Sequence, residues 1–238
     1  MTRPARLPQK VAHRGAPREL RENTLPAFLR ALERGAEAIE LDVHATSDGV
    51  VVVHHDFVLG PDTARPQFAG LSIAGTSWAT LGTVLYRDGH GLPTLSEVLE
   101  AVGTRAAVYV EVKAPGIEAA VVEVIRAGRA ECAVHGFDHR IPRRVHELAP
   151  ELPVGILVDG YLLDPARALA EAGARDYWPH WRFCDEALVQ SIHDAGGRVV
   201  CWTVDDAAVA RSLASMGVDG LCANDLRELE RALASAPA

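Results

Sequence analysis

The chain has 238 residues, of which 48% are hydrophobic and 24% charged, as is typical of one large globular domain or two small ones. A formal net charge of −8 without any lysine- and arginine-rich block excludes nucleic acid as an expected partner. The valine run at 50–53 is too short to span a membrane, and no secretory signal follows the charged start, so we expect a cytoplasmic protein without stable membrane insertion.

Short runs rich in β-branched residues alternate with stretches of helical periodicity along the chain. Several helical stretches open on Thr, Ser or Asp and close on Gly, which are common helix-terminal residues. The candidate strands are residues 10–15, 38–45, 107–114, 132–138, 153–159, 174–181, 198–204 and 218–224. Eight strand-helix units predict an α/β fold of the TIM-type (β/α)₈ barrel class, with an open doubly wound sheet as the alternative. We expect one barrel domain over residues 1–238.

One segment, residues 56–92, interrupts this alternation. It shows no sustained helical period, and Gly, Pro, Asp, Thr and Ser recur in it. We predict an inserted loop or small subdomain after the second strand. Long irregular insertions at one end of a barrel commonly shape the substrate mouth, although a surface loop without a role is the simpler alternative.

Acidic residues stand near the carboxyl ends of two predicted strands, where barrel enzymes carry their active sites. Glu40 and Asp42 are two apart and share one face of the second strand, and Glu111 lies on the third. Three carboxylates together repel one another unless a cation lies among them. A hard divalent cation would bind all three oxygen ligands, which predicts a metal site.

Cationic residues and histidines accompany these acids. Arg14 ends the first strand and Lys113 lies two residues after Glu111, which indicates a bound anion, most simply a phosphate. A turn at 47–49 and the valine run predict a hairpin that returns a histidine of the pair 54–55 toward His13. Two histidines would serve phosphodiester cleavage as proton acceptor and proton donor.

These residues stand in motifs that resemble those of the glycerophosphodiester phosphodiesterases. The motifs are "HRG", "ENT", "ELDVHATSDGVVVVHHD", "LPTLSEVL", "YVEVK", "CWTVD" and "GVDGLCAND". The long E-x-D motif is highly specific, and the resemblance runs from about His13 to Asp225. This chain departs from the family pattern at residues 222–226, at the end of the last predicted strand, where it reads "CANDL". Relatives often have Thr-Asn or Thr-Asp followed by proline there, so a polar contact from this corner of the barrel is left open.

The resemblance implies a (β/α)₈ barrel that hydrolyses a small-molecule phosphodiester to sn-glycerol 3-phosphate and an alcohol with Mg²⁺ or Ca²⁺. The roles it implies are an acid/base pair of His13 and His55, metal ligands Glu40, Asp42 and Glu111, and phosphate contacts from Arg14 and Lys113. Glu22 would lie beside the metal or its water. Apart from the resemblance, the place of Trp202 on the seventh predicted strand suits an apolar wall of the glycerol pocket or a side chain that simply fills the barrel. Attack by the substrate's own glycerol hydroxyl, through a cyclic phosphate, and direct attack by water both stay open.

Two other enzyme classes are alternatives. A phospholipase D-like hydrolase of lysolipids would share the metal and the histidines but would need an exposed apolar rim, which the insert could supply. A metal-dependent sugar isomerase barrel would need further ligands on later strands, where Asp159, His180 and Asp219 are scattered candidates. The headgroup alcohol, the choice of ion and the oligomeric state are not predicted.

Overall fold

Nine strands form the sheet of the structure, a computed structural model in which residues 7–234 are described. They are β1 (Gln9–His13), β2 (Ala38–Ala45), β3 (Val51–Val53), β4 (Ala107–Val112), β5 (Cys132–Gly136), β6 (Val154–Val158), β7 (Asp176–Pro179), β8 (Arg198–Cys201) and β9 (Gly220–Ala223). β1 pairs in parallel with both β2 and β9, so eight parallel strands close into a ring. This closure confirms the predicted TIM-type barrel and excludes the open sheet.

The barrel strands are buried almost throughout, as expected of parallel strands covered by helices. Alternate side chains point into the barrel and outward toward the helices. The inward-facing layer includes small, aliphatic and aromatic residues: Val11, Ala38, Tyr109, Ala133, Leu157, Trp178, Val200 and Cys222. The interior of the barrel is therefore a packed core that supports the strand ends, not a channel.

Among the described residues, eight helices cover the outside of the ring, and one further short helix lies in the segment 56–92. They are α1 (Leu25–Glu33), α2 (Trp78–Leu81), α3 (Leu95–Val102), α4 (Glu118–Ala127), α5 (Arg140–Leu148), α6 (Pro165–Glu171), α7 (Glu186–Asp194), α8 (Ala207–Ser215) and α9 (Leu226–Ala234). Thr94 caps α3 in a reciprocal pair with Glu97, and aspartates 164, 185 and 206 cap α6, α7 and α8. Thr24 precedes α1 but does not cap it, since its hydroxyl donates to the carbonyl of Arg21 instead.

The predicted hairpin is present, because β3 pairs antiparallel with β2 outside the ring. The chain then runs through the irregular segment 56–92, which contains a 3-10 turn at Pro66–Phe68 and the single turn of α2. This segment buries a core of its own, made of Val52, Leu59, Phe68, Ile73, Leu81, Val84, Tyr86 and Leu92. Most of its apolar residues are therefore used inside it.

The ends of the predicted domain, residues 1–6 and 235–238, lie outside the described residues. The segment "LRELERALAS" predicts a final helix over residues 226–235, and its last residue, Ser235, is among the residues that are not described. Within residues 7–234, no helix combines the length and the apolar character needed to cross a bilayer.

Candidate active site

A cavity of about 200 Å³ opens at the carboxyl ends of the barrel strands. Its lining residues are His13, Arg14, Glu40, His55, Glu111, Lys113, His135, Phe137, Leu157, Trp178, Trp202 and Cys222. Strand pairing explains the convergence, because His13 is opposite Glu40, Asp42 is opposite Glu111, and Glu111 is opposite His135. Neighbouring strands therefore carry their polar residues to one level of the barrel.

Asp42 lies at the centre of an ion-pair network. Its carboxylate is fully buried and lies 3.2 Å from Nε of Arg14 and 3.3 Å from Nζ of Lys113. The side-chain amide of Asn23 donates to Oδ2 at 2.8 Å. Burial acts to raise the pKa of Asp42, but Arg14 and Lys113 outweigh it and hold that pKa below its usual value. Asp42 is thus an ionised anchor for both cations, and its predicted metal contact stays a prediction.

Glu40 and Glu111 converge with a histidine. One ligand atom from each of Glu40, Glu111 and His135 lies within 4.8 Å of the other two, and all three residues are buried. Burial and the carboxylate of Asp42 raise the pKa of Glu111, although Lys113 contacts it at 2.6 Å. A cation among these groups would relieve that repulsion. Two carboxylates and an imidazole form a donor set that suits a divalent metal.

His13 is oriented by a side-chain relay from the last strand of the barrel. Its Nδ1 lies 2.8 Å from Oδ1 of Asn224, while the amide nitrogen of Asn224 donates to Asp205 at 2.6 Å. Because Asp205 fixes the amide, Asn224 presents its oxygen, and Nδ1 of His13 must be the donor. Neutral His13 therefore carries its free lone pair on Nε2, 3.9 Å from Glu40.

His55 has a carboxylate partner instead of an amide. Its Nδ1 lies 2.8 Å from Oδ1 of Asp56, and this hydrogen bond is the main cause of the lowered pKa of Asp56. The backbone carbonyl of His55 is 3.1 Å from Nε2 of His44, which ties the end of the hairpin to β2. His44, on the same strand as Glu40 and Asp42, thus contacts the hairpin backbone.

The turn after β1 has a strained backbone that only particular residues can adopt. Arg14 and Asn23 both have positive φ, at 54° and 55°, and the backbone N–H of Asn23 donates to the carbonyl of Arg14. Gly15 has φ of 92°, and a Cβ there would lie 2.8 Å from the backbone of Ala27. The glycine is required for helix α1 to approach the strand end.

Glu22 contacts the site through a cation. Its carboxylate accepts from Nη1 of Arg14 at 3.0 Å, and its side chain is half-exposed. Arg14 is therefore held between Glu22 and Asp42. The predicted place of Glu22 beside a metal or its water stays a prediction.

Trp202 forms one wall of the cavity. Its indole N–H donates to the carbonyl of Trp178 at 2.9 Å, and Phe137 packs edge-to-face on it with ring centroids 5.3 Å apart. The hydrogen bond fixes the indole, so it presents a rigid apolar face to a bound molecule.

Two residues of the site were missed by sequence reasoning. The sequence motifs give His135 no role in the site, although its position on the strand after the Glu111 strand, among apolar residues, is a usable signal. Asn224 lay in the corner that departs from the family pattern, and it supplies the polar contact left open there. Its role depends on Asp205, which no local spacing connects to His13.

The candidates for an isomerase site, Asp159, His180 and Asp219, are not part of the group of possible metal ligands. The group that could hold a metal ion among the described residues comes from β2, β4 and β5 alone. Asp219 contacts His193 and the backbone of Val199, while His180 packs against Trp181 and Trp202. Within residues 7–234, strands β6 to β9 therefore add no ligand to the predicted metal site.

Comparison with known proteins finds extensive similarity. The model of the "Glycerophosphoryl diester phosphodiesterase family" matches residues 13–228. A glycerophosphodiester phosphodiesterase of Caldanaerobacter subterraneus subsp. tengcongensis is 31% identical over 226 residues, covering 90% of this chain and 93% of that protein.

Solved structures are similar over the same extent. The structure of an Oleispira antarctica phosphodiesterase in complex with the product sn-glycerol-3-phosphate superposes with a TM-score of 0.88 at 26% identity, covering 96% of this chain and 98% of that one. The crystal structure of a glycerophosphodiester phosphodiesterase from Agrobacterium tumefaciens gives a TM-score of 0.83 at 26% identity, covering 94% and 100%.

Proposed function

The chain belongs to the glycerophosphoryl diester phosphodiesterase family, and we propose that it hydrolyses glycerophosphodiesters to sn-glycerol 3-phosphate and an alcohol. The observation that carries this proposal is the meeting of two histidines, two carboxylates, Arg14 and Lys113 around one cavity. A barrel that only bound a phosphoester would need the cations but not an acid/base pair. The product held by the Oleispira antarctica relative is consistent with this substrate class.

A divalent metal, Mg²⁺ or Ca²⁺, is part of the proposal. Glu40 and Glu111 would hold it, with Asp42 as the further predicted ligand. When bound, the ion would withdraw charge from the phosphate and make an attacking hydroxyl more acidic. The three carboxylates outnumber the two cations of the site, so a cation is electrostatically favoured there.

We assign the two histidines different roles because their partners differ. His13 pairs with the neutral amide of Asn224, so Nε2 would accept the proton of the attacking hydroxyl, whether from glycerol or from water. His55 pairs with the carboxylate of Asp56, which stabilises a protonated imidazole. His55 would therefore donate the proton to the departing alkoxide.

Arg14 and Lys113 would bind the phosphate. Both are held near the cavity by buried Asp42, so their positive charge is fixed before substrate arrives. Preorganised cations stabilise the charge that gathers on the phosphoryl oxygens in the transition state. Trp202 and Phe137 would contact the carbon skeleton of glycerol or of the alcohol.

A lysolipid substrate is less well supported. Of the insert's apolar candidates for a lipid rim, Phe68 and Ile73 are buried in the insert core, and Leu71 and Trp78 pack against it. Phe57, Val58 and Leu85 of the insert remain exposed, at 60%, 44% and 51%. Three exposed apolar side chains are a small surface for an acyl chain.

We further propose that residues 1–238 act as one phosphodiesterase domain, with 56–92 as a subdomain beside the mouth. The cytoplasm is the proposed compartment, since all four cysteines are unpaired thiols. A small phosphodiester is the proposed partner.

The test is a substrate panel with and without metal. Glycerophosphocholine, glycerophosphoethanolamine and lysophosphatidylcholine are assayed in EDTA and after Mg²⁺ or Ca²⁺ is restored. Release of glycerol phosphate from the deacylated diesters alone, lost in EDTA and regained with the ion, is expected. His90→Ala, which changes a histidine outside the cavity lining, is the matched control for His13→Ala. Turnover of the lysolipid alone, or of no compound, would refute the proposal.

A further inference from the structure

We propose that His135 is a nitrogen ligand of the metal site, and that it shifts the ion preference of the site from Ca²⁺ toward divalent transition ions such as Mn²⁺ and Co²⁺. This inference rests on the proposed function for the presence of a metal and adds a ligand to it. It concerns a residue that the acid/base mechanism does not use.

The His135 side chain is buried without a hydrogen-bond partner among residues 7–234. His135 is 1% exposed, and neither ring nitrogen has a hydrogen-bond partner within the described part of the chain. Buried polar atoms are rarely left unbonded, since each one costs free energy that a partner would recover. An imidazole with two unbonded nitrogens at a polar site is therefore a candidate ligand.

Packing fixes the direction of the ring without bonding its nitrogens. Trp178 packs edge-to-face on His135 with centroids 4.5 Å apart, and Tyr109 stacks in parallel at 6.1 Å. In this orientation Nε2 lies 3.8 Å from Oε1 of Glu40, which is too far for a hydrogen bond. Aromatic packing thus explains where the ring is held but leaves its nitrogens available.

The spacing of the three ligand atoms suits a shared ion. They lie within 4.8 Å of one another, and two ligands that bind one ion at about 2.1 to 2.5 Å can be at most roughly 5 Å apart. Glu40 and Glu111 come from neighbouring strands, and His135 follows on the next. Three successive strands therefore present one donor each.

The chemistry of the donors gives the predicted preference. Ca²⁺ and Mg²⁺ bind oxygen ligands almost exclusively, whereas an imidazole suits first-row transition ions. A site with two carboxylates and one imidazole would bind Co²⁺ or Mn²⁺ more tightly than the same site without the nitrogen.

The test measures metal binding, not turnover. Metal-free wild type, His135→Gln and the control His90→Gln are titrated with Co²⁺, Mn²⁺ and Ca²⁺ by calorimetry. We expect His135→Gln to weaken Co²⁺ binding by about tenfold or more, with Ca²⁺ binding changed by less than about threefold and His90→Gln unchanged. Equal effects on Co²⁺ and Ca²⁺, or no effect, would overturn the proposal.

A second measurement does not need the His135 variant to fold. His13 and His55 are replaced together by alanine, and the Mn²⁺-loaded protein is examined by pulsed EPR for coupling to a histidine nitrogen. Coupling in this double variant is expected from His135, the third histidine that lines the cavity. The absence of this coupling would overturn the proposal.

The Glu40→Gln variant separates this proposal from the proposed function. If Glu40→Gln abolishes ion binding while His135→Gln changes nothing, the metal site of the proposed function is supported and the assignment of His135 as a ligand fails. If wild type binds no divalent ion, the metal of the proposed function fails as well.

Discussion

The two ends of the barrel both carry charged residues around a cavity, but their charges are arranged differently. The cavity at the strand starts is the larger, at about 400 Å³ against about 200 Å³ at the mouth. At the strand starts, Arg175 donates twice to Asp176, and Tyr109 donates to Gln9. At the mouth, His135 has no hydrogen-bonded nitrogen in the described chain.

This difference shows that cavity size alone does not locate an active site. Charged side chains that pair with one another, as at the strand starts, contribute to the fold. They are not left available for a reaction. The mouth crowds three carboxylates together, and burial beside Asp42 raises the pKa of Glu111. Such an arrangement costs stability without a ligand and is typical of a functional site.

The largest expected effect is at the mouth, on the histidines. We predict that His13→Ala and His55→Ala each lower kcat by about 10²- to 10⁴-fold, because general acid and base catalysis contributes on this scale. Turnover of glycerophosphocholine at saturating substrate is the measurement. Activity near that of wild type in either variant would remove the functional distinction between the two ends.

A second prediction concerns the fixed cations. Lys113→Met should lower kcat/KM by about 10²- to 10³-fold, since it removes a preorganised charge beside the phosphate. Lys10→Met is the control, because Lys10 pairs with Glu230 away from the mouth. Steady-state kinetics measure kcat/KM for both variants, and circular dichroism checks that both are folded. Similar losses in the two lysine variants would contradict the assignment.

Substitutions at the strand starts should change the stability of the protein and not its turnover rate. Asp176→Asn leaves buried polar groups imperfectly paired with Arg175 and should lower the free energy of unfolding by about 1 to 3 kcal/mol. Urea denaturation measures the loss, and kcat should stay within about threefold of wild type. Glu171→Gln, which breaks an exposed helix pair with Arg167, should leave the free energy of unfolding nearly unchanged, because solvent screens the pair. A large fall in kcat for Asp176→Asn would mean that the strand starts take part in the reaction.

The smallest expected effect concerns His54, at the base of the insert. It is a change in how the free energy of unfolding depends on pH. Burial lowers the pKa of His54, whose Nδ1 lies 3.3 Å from the hydroxyl of Tyr86. The folded state therefore holds His54 neutral, while the unfolded chain takes up a proton as pH falls below the ordinary histidine value. Stability from this group is present at higher pH and is lost on acidification.

His54→Gln should remove that part of the pH dependence. Between pH 7.5 and pH 5.5, we expect its free energy of unfolding to fall by less than that of wild type. Urea titrations at the two pH values give the comparison, with His90→Gln behaving as wild type. An identical fall in wild type and His54→Gln would show that His54 is not held neutral by burial.

Local patterns predicted most of the barrel and the polar strand ends. The alternation of strand and helix led to the closed ring, and the two-residue spacing of Glu40 and Asp42 put both on one strand face. Three helical stretches that open on aspartate are capped by aspartates 164, 185 and 206, but Thr24 donates to a nearby carbonyl because tertiary packing decides which backbone groups are free. Strand bounds differ by a few residues, as helix and strand ends commonly do.

What the sequence by itself determined is most of the chemical groups that reach the mouth, because side-chain alternation and the order of strands along the chain can be read from local patterns. His135 and Asn224 are the exceptions. The family follows from the same motifs. What only the tertiary structure decided is how those groups pair: that Asp42 contacts Arg14 and Lys113, that Asn224 orients His13, and that His135 faces Glu40. These pairings join residues from different strands, and strand pairing and burial select them among many electrostatically similar combinations.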